Sequence, residues 1–266
     1  MRPGEIKSIQ FKDSLAAKRR KRFFALSAGV ITIILILMGG VAYGVLFSGY
    51  FDIKETRING LNDNHRDQIS ASIQDMLSKK KFYIKTGNNK LFFSKSTAEE
   101  SLLANFSFLD DVEIEKDGSE VKFYFTEREP KGIWCFADEC YFFDKEGVLT
   151  EKTFRSSGYL FLTVNDGRNF DEKPKSIDGE YFESIMLVKE FFENSGIKIK
   201  DVYIAGNAIT DFSVNTSEQY PIYLSTDPNL KSQLEILKIF LDQKNESGDF
   251  NPQYLDARIE GRVYYK

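Results

Sequence analysis

Residues 23–47, FFALSAGVITIILILMGGVAYGVLF, form 25 consecutive uncharged positions, mostly Ile, Leu, Val, Phe, Ala and Gly. As a helix rising ~1.5 Å per residue the run reaches ~37 Å, enough to cross a ~30 Å hydrocarbon core with some tilt. Lipid offers no partner to a backbone N–H or C=O, and a helix satisfies both within the segment. The run is preceded by Lys18-Arg19-Arg20-Lys21-Arg22 and followed by Ser48-Gly49-Tyr50-Phe51-Asp52. Cations stay on the cytoplasmic side, so the expected topology has the N-terminus inside and everything past about residue 48 outside. A cleaved signal peptide, with Ala42-Tyr43-Gly44 as its cleavage site, is the competing reading. Its apolar region would be only ~7–15 residues long, and this run is longer and starts later.

Charge divides the chain at the same place. Residues 1–22 hold eight Lys/Arg against Glu5 and Asp13, so a chain of net charge −4 carries +6 here and −10 beyond. A basic tail beside a span suits an anionic inner leaflet. The acidic remainder argues against a nucleic acid or other polyanion as partner. The 219 residues past Phe47 suffice for two small domains with cores of their own. Cys135 and Cys140 are the only cysteines. They begin and end the stretch CFADEC among strand-forming residues, where a short hairpin sets them opposite each other at disulfide distance. An oxidising compartment permits the bond; two reduced thiols are the alternative. A zinc site would need about four ligands, and His65, the lone histidine, lies far off in sequence.

Local signals then order the chain. Residues 1–17 read as a short, weakly structured tail. After the span, 51–60 is β-prone and closes on Gly60. Asn62 or Asp63 caps a helix over about 63–80 with Ile69, Ile73, Met76 and Leu77 on one face and Lys79-Lys80-Lys81 at its end. Ser96 and Glu99 form a capping box for a helix over 97–105, with Leu102, Leu103 and Phe106 as its apolar side. Two alternating runs follow, Val112 and Ile114, then Val121, Phe123 and Phe125, joined at Asp117-Gly118 as a hairpin. The order is β-α-α-β-β over residues 50–129. Pro130 breaks the last strand and opens a second unit over 130–266. Strands are expected at 132–135, 140–143, 148–153, 159–164, 199–204, 209–215 and 221–224. Helices are expected at 181–194 and after Asp227-Pro228, the latter with Leu230, Leu234, Leu237 and Leu241 buried. A strand-rich tail runs to Lys266. The fold class is α+β: one apolar N-terminal helix, a β-α-α-β-β domain and a mostly antiparallel β domain with two helices.

Chemistry is harder to find. His65 sits in a first helical turn among Asn and Asp, as a solvated residue would. No Gly-rich loop opens a helix after a strand, and neither HExxH nor a phosphate-loop pattern occurs. Neighbouring acids such as Asp110-Asp111 and Glu99-Glu100 read as solvated pairs. The expectation is a non-enzymatic protein with no catalytic residue, cofactor, metal or small-molecule substrate.

Four stretches resemble, in order and at fitting distances, the FtsQ/DivIB family of bacterial cell-division proteins. FDIKETRING resembles the first strand of its POTRA domain. VKFYFTEREPKGIW resembles the passage through Glu-Arg-x-Pro to a Trp-bearing strand. CYFFDKEGVLTE resembles the aspartate-to-glycine turn opening the β domain, and YLDARIEGRVYYK its closing strand with Asp-x-Arg. The cysteine pair departs from the family pattern. The resemblance implies a basic cytoplasmic tail (1–22), a transmembrane helix (23–47), a POTRA domain (50–129) and a β domain (130–266). It implies a scaffold of the divisome in the cytoplasmic membrane at the division site, binding single-pass coiled-coil proteins of the FtsB/DivIC and FtsL type. The partner would add a strand near Arg258, Ile259, Gly261, Arg262, Val263, Tyr264 and Tyr265. Closure of the protein's own sheet core is the plainer use of the same residues. The strand near 112–115 is a second candidate edge. An anchored cell-wall hydrolase and a POTRA component of secretion or assembly are the competing functions.

Overall fold

The computed structural model describes residues 3–80, 87–156, 159–170, 172, 174–218, 220–227, 229–245 and 250–266, with side chains from Arg19 onward except Asn245. Lys81 and Pro228, expected at a helix end and a helix start, lie outside the described residues. Contacts divide the chain into two units: residues 1–100 with 113–124, and residues 101–112 with 125–266.

The first element is α1, Pro3–Phe47. Within it Arg19–Phe47 is long and apolar enough to cross a membrane, and none of that stretch is buried by the protein. Residues 3–17, expected to be weakly structured, continue the same helix. Extending a formed helix needs no new nucleus, and Leu15-Ala16-Ala17-Lys18 are good helix formers.

Next come β1 (Glu55–Asn59), α2 (Asp63–Ser78), α3 (Lys95–Asn105), β2 (Leu109–Asp117) and β3 (Glu120–Glu127), in the expected β-α-α-β-β order. The sheet order is β1-β3-β2, with β1 parallel to β3 from Glu55↔Glu120 to Asn59↔Tyr124. Val121, Phe123 and Phe125 are buried at alternate positions of β3, as a period of two requires. Ile69 and Ile73 are the buried pair of α2, while Met76 and Leu77 are half-buried. The capping box at Ser96 does not form. Helix α3 starts earlier, with Ser94 Oγ accepting from the Thr97 N–H at 3.4 Å. Glu99 instead reaches β2 and accepts from the Ile114 N–H at 3.1 Å. Leu103 is 37% exposed, and Ala98 and Leu102, four apart, carry the buried stripe. Loop residues Gly118-Ser119 join β2 to β3, with Gly118 at φ +60 as a type II′ turn requires at its first position.

Residues 132–266 of the second unit form a nine-stranded sheet with two helices. Its strands are β4 (Gly132–Phe136), β5 (Glu139–Phe143), β6 (Leu149–Thr153), β7 (Leu162–Asp166), β8 (Ile199–Ile204), β9 (Asp211–Thr216), β10 (Pro221–Ser225), β11 (Leu255–Asp256) and β12 (Tyr264–Tyr265). The helices are α4 (Gly179–Asn194) and α5 (Leu230–Asn245). The order across the sheet is β12-β11-β10-β9-β8-β7-β4-β5-β6. Most neighbours are antiparallel. Three pairs are parallel: β4/β7, joined through the β5–β6 hairpin, and β7/β8 and β10/β11, each joined by a helix, because parallel neighbours need a long crossover. Asp178 caps α4 by accepting from the Glu180 N–H at 3.1 Å. Tyr181, Ile185, Val188 and Phe192 of α4 and Leu230, Leu234, Leu237 and Leu241 of α5 share one core with Trp134, Val164, Val202, Ile204, Val214 and Leu224. Fully burying each such aliphatic or aromatic side chain contributes ~1.5–3 kcal/mol.

The opposite face carries a smaller apolar cluster of Ile133, Cys135 and Cys140 beneath Phe142 and Phe161. Cys135 and Cys140 are register partners in the β4–β5 hairpin and are joined by a disulfide. The hairpin turns through Ala137, whose φ of +49 is the sole positive value on a non-glycine among the described residues. A Cβ there costs ~1–2 kcal/mol, part of which returns in the unfolded chain when glycine replaces it. We expect A137G to stabilise the oxidised protein by ~0.5–1 kcal/mol in denaturant unfolding, and an unchanged or lowered midpoint to refute the strain.

Candidate functional site

The strand-rich tail expected at the terminus forms two short strands, not the one closing strand that the resemblance implies. Leu255 and Asp256 pair in parallel with Ile222 and Tyr223 of β10, and Tyr264 and Tyr265 return antiparallel to Asp256 and Leu255. Between them the chain leaves the sheet. Arg258 N–H donates to Asp256 Oδ1 at 3.1 Å, Gly261 takes φ +73, and the Arg262 N–H closes a turn on the Ile259 carbonyl at 3.2 Å. The Asx turn and the left-handed glycine break the extended geometry that continuous pairing needs. Strand β12 is thus the end of the sheet, and one side of its backbone faces no neighbouring strand among the described residues.

The expected contact residues separate into two groups. Tyr265 packs on the helix side, with its ring 5.4 Å from Phe240 of α5 and 5.5 Å from Phe250, and with Lys244 Nζ 5.3 Å from its centroid. Val263 packs against the main core. Arg258 is tied down: Nε and Nη2 donate to Asp256 at 2.9 and 2.6 Å, and Nη1 donates to Asp211 at 2.6 Å. Its guanidinium lies 5.4 Å from the Tyr223 ring centroid. The hydrogen bond from Arg258 holds the Asp256 carboxyl below its ordinary value, and the same bond raises Arg258. Ile259, Gly261, Arg262 and Tyr264 are exposed without such packing, with Arg262 Nη1 3.4 Å from the Tyr264 hydroxyl; Arg258 is exposed beside its ion pairs, and Tyr265 is 51% exposed beside its ring contacts.

Register adds residues that the sequence reading did not single out. Tyr203 of β8 faces Ser213 of β9, Ser213 faces Tyr223 of β10, Tyr223 faces Asp256 of β11, and Asp256 faces Tyr264 of β12. These five positions form one row across the helix-free face. Three of them are tyrosines, 48%, 36% and 44% exposed in strand order. Beside the row lies a groove of about 500 Å³ lined by Tyr203, Ile209, Phe212, Tyr223 and Arg258. Alternation in the sequence turns these tyrosines away from the core. Only the pairing register aligns them.

Two further charged clusters are internal. Asp144 and Asp166 are each 2% exposed and are the buried acids among the described residues. Asp144 Oδ1 accepts the N–H groups of Glu146 and Val148 at 2.9 and 2.8 Å, fixing the turn into β6. Its Oδ2 takes Arg128 Nη1, which also lies 3.1 Å from Asp110 and 3.3 Å from Glu146, while Arg128 Nε donates to the Leu109 carbonyl at 3.0 Å. The three acids lie within 4.8 Å of one another, as metal ligands would, and the cation among them is this guanidinium. Asp166 accepts from Trp134 Nε1 at 3.2 Å and from Arg168 Nε and Nη2 at 3.0 and 2.9 Å. The Arg168 guanidinium lies 4.1 Å from the Tyr181 centroid, and burial raises the Tyr181 phenol. Each buried acid is therefore engaged by an arginine. His65, half-buried, lies within α2.

Neither protein-family models nor curated proteins give a match to this chain.

Two outcomes follow from the ion pairs. R128M leaves a buried carboxylate uncompensated and is expected to cost ~3 kcal/mol of unfolding free energy; D144N on top should recover part of it, and strict additivity would refute the coupling. Asp256 is depressed on folding, so its stabilisation is complete above the unfolded value near 3.8 and fades as pH falls through the folded value below it. We expect D256N to cost ~1 kcal/mol at neutral pH, a partly exposed pair being screened, with the difference from wild type vanishing in acid. A difference that persists below that window in urea titrations would count against the assignment.

Proposed function

We propose that this protein is a non-enzymatic scaffold of the bacterial division machinery, of the kind the FtsQ/DivIB resemblance implies. Its helix α1 crosses the cytoplasmic membrane with the N-terminus inside, residues 50–129 act as a POTRA domain, and residues 130–266 act as the partner-binding β domain. The partners are single-pass coiled-coil division proteins of the FtsB/DivIC and FtsL type. The observation that carries this reading is the sheet end at β12. An exposed row of tyrosines runs across the helix-free face and stops at a backbone edge with no strand beyond it among the described residues. An unpaired edge accepts an added strand through main-chain hydrogen bonds, and the flanking pockets choose which strand. Tyrosine and arginine are the residues that dominate such contacts.

The contact area is narrower than the whole of residues 258–265. Arg258, Val263 and Tyr265 hold β11 and β12 in place, while Ile259, Arg262 and Tyr264 meet the partner, with Tyr223 and Tyr203 continuing its footprint.

Photo-crosslinking in the native membrane tests this, with probes at Ile259, Arg262 and Tyr264 and a control at the exposed Gln68 of α2. We expect the terminal probes, and not the control, to capture a small single-pass coiled-coil protein, and Y264A to weaken capture about tenfold. Capture of that partner from Gln68 alone would refute the sheet-end contact.

A further inference from the structure

We infer that the turn at residues 89–93 is a second membrane contact of this protein, with Leu91 and Phe92 seated in the lipid interface of the leaflet where α1 ends. The inference rests on α1 spanning the membrane.

The last four carbonyls of a helix lack intrahelical partners, and in or near lipid an unsatisfied carbonyl is expensive. Helix α1 ends at Phe47, so the Val45 carbonyl is one of these. Asn89, 2% exposed, donates its Nδ2 to that carbonyl at 2.9 Å. The chain leaving the helix is joined to the same turn by its backbone. Lys90 N–H donates to the Phe51 carbonyl and Ile53 N–H to the Asn88 carbonyl, both at 2.8 Å.

This tie fixes depth. The uncharged run is centred on Leu35, and ten residues at ~1.5 Å put Val45 ~15 Å from the midplane, the edge of a ~30 Å core. Asn89 must lie at that level, and Leu91 and Phe92 are within three residues of it.

The turn is also built to hold those two side chains out. Leu91 N–H donates to Asn89 Oδ1 at 3.0 Å, and the N–H groups of Phe92 and Phe93 donate to the Asn89 carbonyl at 3.0 and 2.8 Å. Lys116 Nζ donates to the carbonyls of Lys90 and Phe93. Phe93 goes into the core, 6.4 Å from Phe123, while Leu91 and Phe92 stay 56% and 50% exposed. Around them are Tyr50, 76% exposed, and Lys90, whose ammonium lies 5.8 and 5.5 Å from the Tyr50 and Phe51 rings. Aromatic rings with an adjacent lysine are the composition of a lipid headgroup boundary. A lipid surface is the occupant because this depth, set by the helix, is where the headgroup region lies.

The test uses the full chain in phosphatidylcholine vesicles with a minor phosphatidylglycerol component, carrying brominated acyl chains. Wild type has one tryptophan, Trp134, buried in the sheet core. We expect F92W to add an emission quenched about twofold by the brominated lipid, as an interfacial ring would be, while wild type stays unquenched. F47W, at the end of α1, serves as the span control. Quenching of F47W without F92W overturns the second contact and leaves the span intact. Failure of both to quench removes the span and the contact together.

Discussion

Asp144 is a negative charge taken out of water, and the opening of the nine-stranded sheet is built to satisfy it. One oxygen gathers the N–H groups of the turn into β6; the other requires a cation. Arg128, directly after β3, supplies it and at the same time holds the Leu109 carbonyl. The Glu-Arg-x-Pro stretch and the aspartate-to-glycine turn, 16 residues apart at Arg128 and Asp144, thus meet as one ion pair. Removing either partner alone leaves the other stranded, which is why such pairs act as fixed joints more than as sources of net stability.

The same device recurs deeper in the sheet and at its far end. Asp166 joins Trp134 of β4 to Arg168, and Arg168 reaches Asp178 at the cap of α4 at 3.3 Å. Asp256 and Asp211 together clamp Arg258, so that a short parallel pairing at β11 is held by three charge-assisted bonds. A two-residue strand has few ladder bonds of its own. The clamp, together with Tyr265 packed on α5, is what lets β12 close the sheet there.

The architecture assigns faces by connectivity. Crossovers through α4 and α5 cover one face, leaving the other to the Cys135–Cys140 hairpin at one side and the tyrosine row at the other. The helix end at Val45 and the turn at Asn89 give the first unit a comparable economy, since one buried amide satisfies a terminal carbonyl and sets the position of the turn.

Much of the secondary structure was legible in the sequence, because it depends on local periodicity. The uncharged run at 23–47, the leucine stripe of α5, the alternation in β3 and the CFADEC hairpin each carry their own pattern. The capping of α3 was not legible, since Ser94 and Ser96 are chemically equivalent caps and only the pairing of Glu99 with β2 decides between them. The division of the terminal segment into two strands was not legible for a similar reason. Residues 254–266 are β-prone throughout, yet the Asp256–Arg258 turn and Gly261 interrupt them once Arg258 has Asp211 to hold. The candidate surface was half legible: Arg262 and Tyr264 stood out by type, but Tyr203 and Tyr223 join them only through register. The sequence by itself determined which residues avoid water and where the chain turns, because those are properties of neighbours in the chain. Which strands lie side by side, which arginine meets which aspartate and which strands end the sheets were decided by the tertiary structure, because each depends on residues brought together from far apart.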